Sequence, residues 1–136
     1  MTTPRVVGMG AVRNWADDNE LKLFKKYHGQ KIKTASLFDD ALVLEFSTGK
    51  LVIEDDGQSC CESRYLTCDD DVKSIVGGVL IDIDVKQGPC IERSDECHET
   101  TFVEVLTSAG FINFTAHNEH NGYYGGFYIR MKEKNK

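Results

Sequence analysis

The residues best suited to chemistry lie in one stretch, His117-Asn118-Glu119-His120-Asn121-Gly122-Tyr123-Tyr124-Gly125-Gly126-Phe127. It places two histidines, two asparagines and two tyrosines within eight residues, between two apolar, strand-like runs. Asn121-Gly122 reaches positive φ at little cost, and Gly125-Gly126 lets a partner approach the backbone. The stretch therefore predicts a glycine-rich bend that binds by hydrogen bonding and stacking. Arginines supply the matching chemistry for an anion: Arg13 beside Trp15, the only tryptophan, Arg64 just past Cys60-Cys61, and Arg130. A lone exposed arginine is by default only solvated. Arginines near exposed aromatics combine phosphate pairing with base stacking.

Other chemistries are poorly served. Cys60, Cys61, Cys68, Cys90 and Cys97 form no Cys-x-x-Cys knuckle, so packing is the expected role and no metal is expected. After Pro89-Cys90 the next cysteine is Cys97, which is not the spacing of a zinc deaminase. Gly8-Met9-Gly10 lacks the third glycine and the helix of a dinucleotide fingerprint. A cysteine nucleophile with His98, His117 or His120 as base is conceivable. Without a nucleophile elbow or phosphate loop, the chain reads as a non-enzyme that needs no cofactor.

The elements that must position these residues are mostly strands. Asp17 followed by Glu20 predicts a capping box for a helix that presents Leu21, Phe24 and Tyr27 on one face and is stopped by Gly29. Ile32 to Leu37 reads as a first strand, with Leu42 to Phe46 and Leu51 to Glu54 as a hairpin around Ser47-Thr48-Gly49. Asp69-Asp70-Asp71 predicts the start of a short second helix ending before Gly77-Gly78. Val79 to Val85 alternates as a half-buried strand should, and residues 87–97 read as a polar loop. A second hairpin, Thr100 to Thr107 and Phe111 to Ala116, turns at Ser108-Ala109-Gly110. Gly126 to Met131 is the last strand, followed by a solvated basic tail from Lys132. Short connections between successive strands predict an α+β fold, a mainly antiparallel sheet with an N-terminal helix and a short second helix.

At 136 residues and 40% hydrophobic content, the chain is expected to form one domain spanning residues 1–136. A net charge of −6, with no continuous Lys/Arg stripe, argues against DNA or RNA as partner. No apolar run reaches membrane-spanning length and no secretory signal is visible, so a cytoplasmic protein with reduced thiols and no membrane partner is expected.

The second hairpin carries a finer expectation. With Ala109-Gly110 as a two-residue turn, Val103, Val105, Ile112 and Phe114 share the core face. Phe102, Glu104, Phe111 and Asn113 then share the other, where an aromatic and an amide can read a base or seal a subunit contact.

Cys60-Cys61-Glu62, the acidic helix start with Gly77, Glu99 to Phe102, and the His117 to Phe127 stretch together resemble phage anti-defence proteins of the Thoeris-inhibiting sponge type. The resemblance covers roughly residues 58–130. It implies capture, without cleavage, of the cyclic ADP-ribose isomers made by bacterial TIR-domain proteins, in the cytoplasm of the infected host bacterium. It also implies homo-oligomers, hexamers in known cases, with the signal held between subunits, and in some relatives separate sites for cyclic oligonucleotides. Such a site needs an aromatic face for adenine, amides for ribose hydroxyls and arginines for the diphosphate. Trp15 and Phe102 are the stacking candidates, Asn113 the polar contact, and Arg64 and Arg130 the phosphate ligands. Asn118, His120, Asn121 and Tyr124 follow as ligand-binding candidates. The alternatives are a phosphodiesterase-like or thiol-dependent hydrolase of a nucleotide signal, and a phage protein-interaction domain.

Overall fold

The computed structural model describes residues 11–38, 41–55, 63–93, 96–120, 127 and 129–134. Among them are one α-helix, α1 (Asp18–Tyr27), and eight strands: β1 (Thr34–Leu37), β2 (Ala41–Phe46), β3 (Gly49–Asp55), β4 (Ser63–Cys68), β5 (Leu80–Arg93), β6 (Glu96–Thr107), β7 (Gly110–His120) and β8 (Ile129–Lys134). All strand pairs are antiparallel, in two four-stranded sheets with the orders β1-β2-β3-β8 and β4-β7-β6-β5.

The capping box is complete: Asp17 Oδ1 accepts from the Glu20 amide at 2.8 Å, and Glu20 Oε1 accepts from the Asp17 amide at 3.0 Å. Gly29 ends the helix at φ +82°, a conformation other residues rarely adopt. Phe24 and Tyr27 are fully buried, and Tyr27 stacks on Phe46 with ring centroids 4.6 Å apart. Each such burial contributes about 1.5–3 kcal/mol. Gly49 makes the approach possible, since a Cβ there would lie 2.4 Å from the Tyr27 hydroxyl.

Alternation along the strands builds the core. In the second sheet Ile83, Val105 and Ile112 align across three strands, and Val85, Val103 and Phe114 form the next row toward the other end. These rows join Leu42, Leu44, Leu51 and Ile53 of the first sheet in a single buried cluster, with the partly buried Val85 packed against it.

Several expectations shift. The short second helix is one 3-10 turn, Val72–Ile75, whose Asp71 caps the Lys73 amide at 3.0 Å. Residues 87–93 and 96–97, expected as loop, extend β5 and β6 past an irregularity between Gln87 and Cys90. His117 to Glu119 belong to β7, where β6 and β4 pair with them on both sides and their side chains alternate between faces, and His120 ends the strand against Cys97 of β6. Lys132 to Lys134, expected as a solvated tail, pair with Val52 to Lys50 of β3. The β6–β7 turn is Ser108-Ala109, one residue earlier than expected. A one-residue shift of the turn moves the cross-strand pairing by two positions, so every residue keeps its face. Phe102, Glu104, Phe111 and Asn113 do share the outer face.

Among the described residues, no helix is long and apolar enough to cross a membrane.

Candidate functional site

A cleft of about 550 Å³ opens between the two sheets. The segment leading into α1 supplies Trp15, the first turn of α1 supplies Glu20, β6 supplies Glu99 and Thr101, and Phe127 and Arg130 come from the start of β8 and the residues before it. Its size is that of a small-molecule site. Trp15 and Arg130, far apart in the chain, meet here.

Each wall has a reason for its place. The Trp15 indole Nε1 donates to the Ile83 carbonyl at 2.9 Å, which pins the ring to β5. The preceding turn is pinned alongside it, because Asp82 accepts from the Ala11 and Val12 amides at 3.0 Å each. Glu20 is buried and does two jobs: besides closing the capping box, its Oε2 accepts from the Met131 amide at 2.7 Å. β8 is an edge strand, so this carboxylate satisfies an outward backbone donor that no strand can reach. The Arg130 guanidinium lies against the same pair of acids, Nη2 at 3.2 Å from Asp17 Oδ2 and Nε at 3.4 Å from Glu20 Oε2. At the far end of α1, Lys26 and the Tyr27 hydroxyl both bond Glu133 of β8. The helix is thus fastened to the edge strand at both ends. Burial, and then the Glu133 contact, hold the Tyr27 phenol far above its ordinary range.

Glu99, on the cleft wall, heads a row that crosses the second sheet in backbone register. Glu99 pairs in register with Asn118, and Asn118 with Arg64. Asn118 is fully buried, one step beyond the Thr101–Ala116–Leu66 row. Three of the residues expected to bind ligand, Arg64, Asn118 and His120, therefore follow the strand positions of this end of the sheet. Asn121 and Tyr124 lie outside the described residues, as do Cys60-Cys61 and Gly8-Met9-Gly10.

Phe102 and Asn113 stand apart, on the outer face of the second sheet. A Cβ on Gly88 would lie 2.9 Å from Phe102 Cε2, so the ring packs closely over that glycine. Asn113 is exposed, and its amide donates to Asp70 Oδ2 at 3.0 Å. The same face carries a cluster of which only His98 and His117 were expected to do chemistry, as possible bases. His117 Nε2 lies 2.8 Å from Thr67 Oγ1, and its Nδ1 lies 2.9 Å from His98 Nε2. Tyr65 stacks on the His117 ring at 4.6 Å and donates its hydroxyl to Glu119. Burial, then the neighbouring His98 charge, lower the His117 pKa, with Glu119 opposing them. The signal for this cluster is period-two spacing: His98, His117, Glu119, Tyr65 and Thr67 all fall on outward positions of paired strands.

The described thiols do not join it. Cys68 sits on the inner side, opposite Phe114, with Sγ 3.4 Å from the Asp70 and Asn113 carbonyls, and burial pushes its thiol pKa up. Cys97 is buried. Among the described residues, no group of three or more His, Cys, Asp and Glu side chains is placed to hold a metal ion.

The chain belongs to the family described as Domain of unknown function (DUF7448), whose model matches residues 21–129. The match takes in the β5, β6 and Phe127 side of the cleft and stops short of Trp15, Asp17, Glu20 and Arg130. No curated protein and no solved structure matches the chain.

Proposed function

We propose that this member of the DUF7448 family is a non-catalytic binding domain that captures a small nucleotide signal in the cleft between its sheets and holds it intact. The observation that carries the reading is the cleft itself, where an anchored indole, a second aromatic, hydroxyl and carboxylate acceptors and one guanidinium surround about 550 Å³. That volume accommodates a cyclic ADP-ribose isomer, the ligand implied by the resemblance to Thoeris-inhibiting sponges. In that role the protein acts in the cytoplasm of an infected bacterium. Sequestration from a sensitive receptor calls for a dissociation constant near nanomolar, about −12 kcal/mol. Exposed Gln87 and Arg130 line the cleft, so enclosure at that level draws on a second copy of the chain covering the mouth.

The test is calorimetry of the purified protein with cyclic ADP-ribose isomers, followed by heat release and mass spectrometry. Tight binding with an unchanged ligand mass supports capture. Absence of binding to every isomer and to cyclic oligonucleotides refutes it. One observation favours a hydrolase as second reading: the exposed Thr67 hydroxyl touches His117, whose other ring nitrogen is held by His98, the order of nucleophile, base and orienting group. A released ligand of altered mass, with turnover lost in Thr67→Val, would select that reading.

A further inference from the structure

The charges lining the cleft run against the simplest placement of a nucleotide in it. Among the described residues that line it, three carboxylates, Asp17, Glu20 and Glu99, face one guanidinium, that of Arg130. Two nitrogens of that guanidinium already contact Asp17 and Glu20, at 3.2 Å and 3.4 Å. A diphosphate brought to Arg130 meets a guanidinium whose charge is already shared with two acids, and reaches it through the N–H groups that those contacts leave over. It also sits beside those carboxylates, whose repulsion opposes the attraction of the guanidinium.

Resting on the nucleotide reading above, we infer that the cleft takes the purine and ribose end of its ligand and leaves the phosphates at the mouth. The groups present match that end. Ribose hydroxyls and the exocyclic amine of adenine are donors, and Glu99 and Thr101 line the wall they would meet as acceptors. Trp15 spends its only donor on the Ile83 carbonyl, so its contribution to a ligand is its ring, held in a fixed plane for stacking. Phe127 supplies a second aromatic wall. Selection in the cleft therefore works through the nucleoside, and negative charge on the ligand is tolerated rather than sought there.

Three probes on the unmodified protein test this: adenosine, ribose 5-phosphate and cyclic ADP-ribose, each titrated by calorimetry with Trp15 fluorescence as the local readout. Adenosine is expected to bind, change the Trp15 emission and compete with cyclic ADP-ribose, while ribose 5-phosphate binds at least tenfold more weakly. Glu99→Gln is expected to weaken adenosine about tenfold, the loss of one charge-assisted hydrogen bond, and to strengthen ribose 5-phosphate. If cyclic ADP-ribose and ribose 5-phosphate bind at Trp15 and adenosine does not, the orientation is overturned while nucleotide capture stands. If none of the three binds, the nucleotide reading falls and the orientation with it. The probe comparison needs no variant, so a misfolded Glu99→Gln leaves the conclusion decidable.

Discussion

Replacing Glu20 separates the helix from the edge strand it caps. Its Oε1 accepts the Asp17 amide, its Oε2 accepts the Met131 amide at 2.7 Å, and Arg130 Nε lies 3.4 Å away. In Glu20→Ala the loss of the capping-box bond costs about 1 kcal/mol. The Met131 amide, bonded in a buried setting, is left without an acceptor, which adds about 1–3 kcal/mol. The Arg130 contact adds only a few tenths of a kcal/mol, because the guanidinium is 46% exposed and screened by solvent. The sum is about 3 kcal/mol, or roughly 10 °C in Tm for a domain of this size. Glu20→Gln is the sharper variant. An amide has one acceptor oxygen where the carboxylate has two, so it can serve Asp17 or Met131 but presents its NH2 to the other. Its expected cost is about 1–2 kcal/mol. Urea unfolding followed by circular dichroism measures both variants. A Glu20→Ala protein within about 1 kcal/mol of the parent would refute the reasoning, since it would mean that β8 needs no cap from the helix.

Two further perturbations follow from packing and charge. Gly49→Ala sets a methyl 2.4 Å from the Tyr27 hydroxyl and should cost about 2 kcal/mol; the cost should shrink in a Tyr27→Phe background, and strict additivity in that double-mutant cycle would show that the two sites do not collide. His117 is held below its ordinary value of 6.5 by burial and then by His98, so over the interval between the folded and unfolded values the unfolded chain binds more protons. Its contribution to stability is complete above the ordinary value and is lost as pH falls toward the lowered one. Urea unfolding at about pH 8 and about pH 5.5 should show that loss in the parent and a smaller one in His117→Gln. An identical loss in the variant would assign the effect to other groups.

Local chemistry was legible in the chain wherever one element decides it. Asp17 and Glu20 specify their capping box within a single turn, and Gly29 stops the helix by tolerating φ +82°. Alternation in Thr100 to Ala116 determines which side chains face the core even though the turn lies elsewhere, since a pleated strand has only two faces. Polar strand ends were not legible. Residues 87–93 and 96–97, and His117 to His120, lack an apolar alternation, and they extend because neighbouring strands already present ladder partners to them. The acidic run at Asp69 to Asp71 starts a single 3-10 turn, which a capping residue alone cannot distinguish from a longer helix.

The chain by itself determines its strand-rich class, its helix start and the side of each strand that is buried, because these depend on spacings of two to four residues. Only the tertiary structure decides that Trp15 and Arg130 share a cleft while Phe102 and Asn113 look out from the opposite face of the second sheet. Only it decides that Arg130, read as a phosphate ligand, is committed to Asp17 and Glu20. The reason is physical: a side chain's type sets what it can bond to, but its partner is whatever the folding of distant segments brings within about 3 Å.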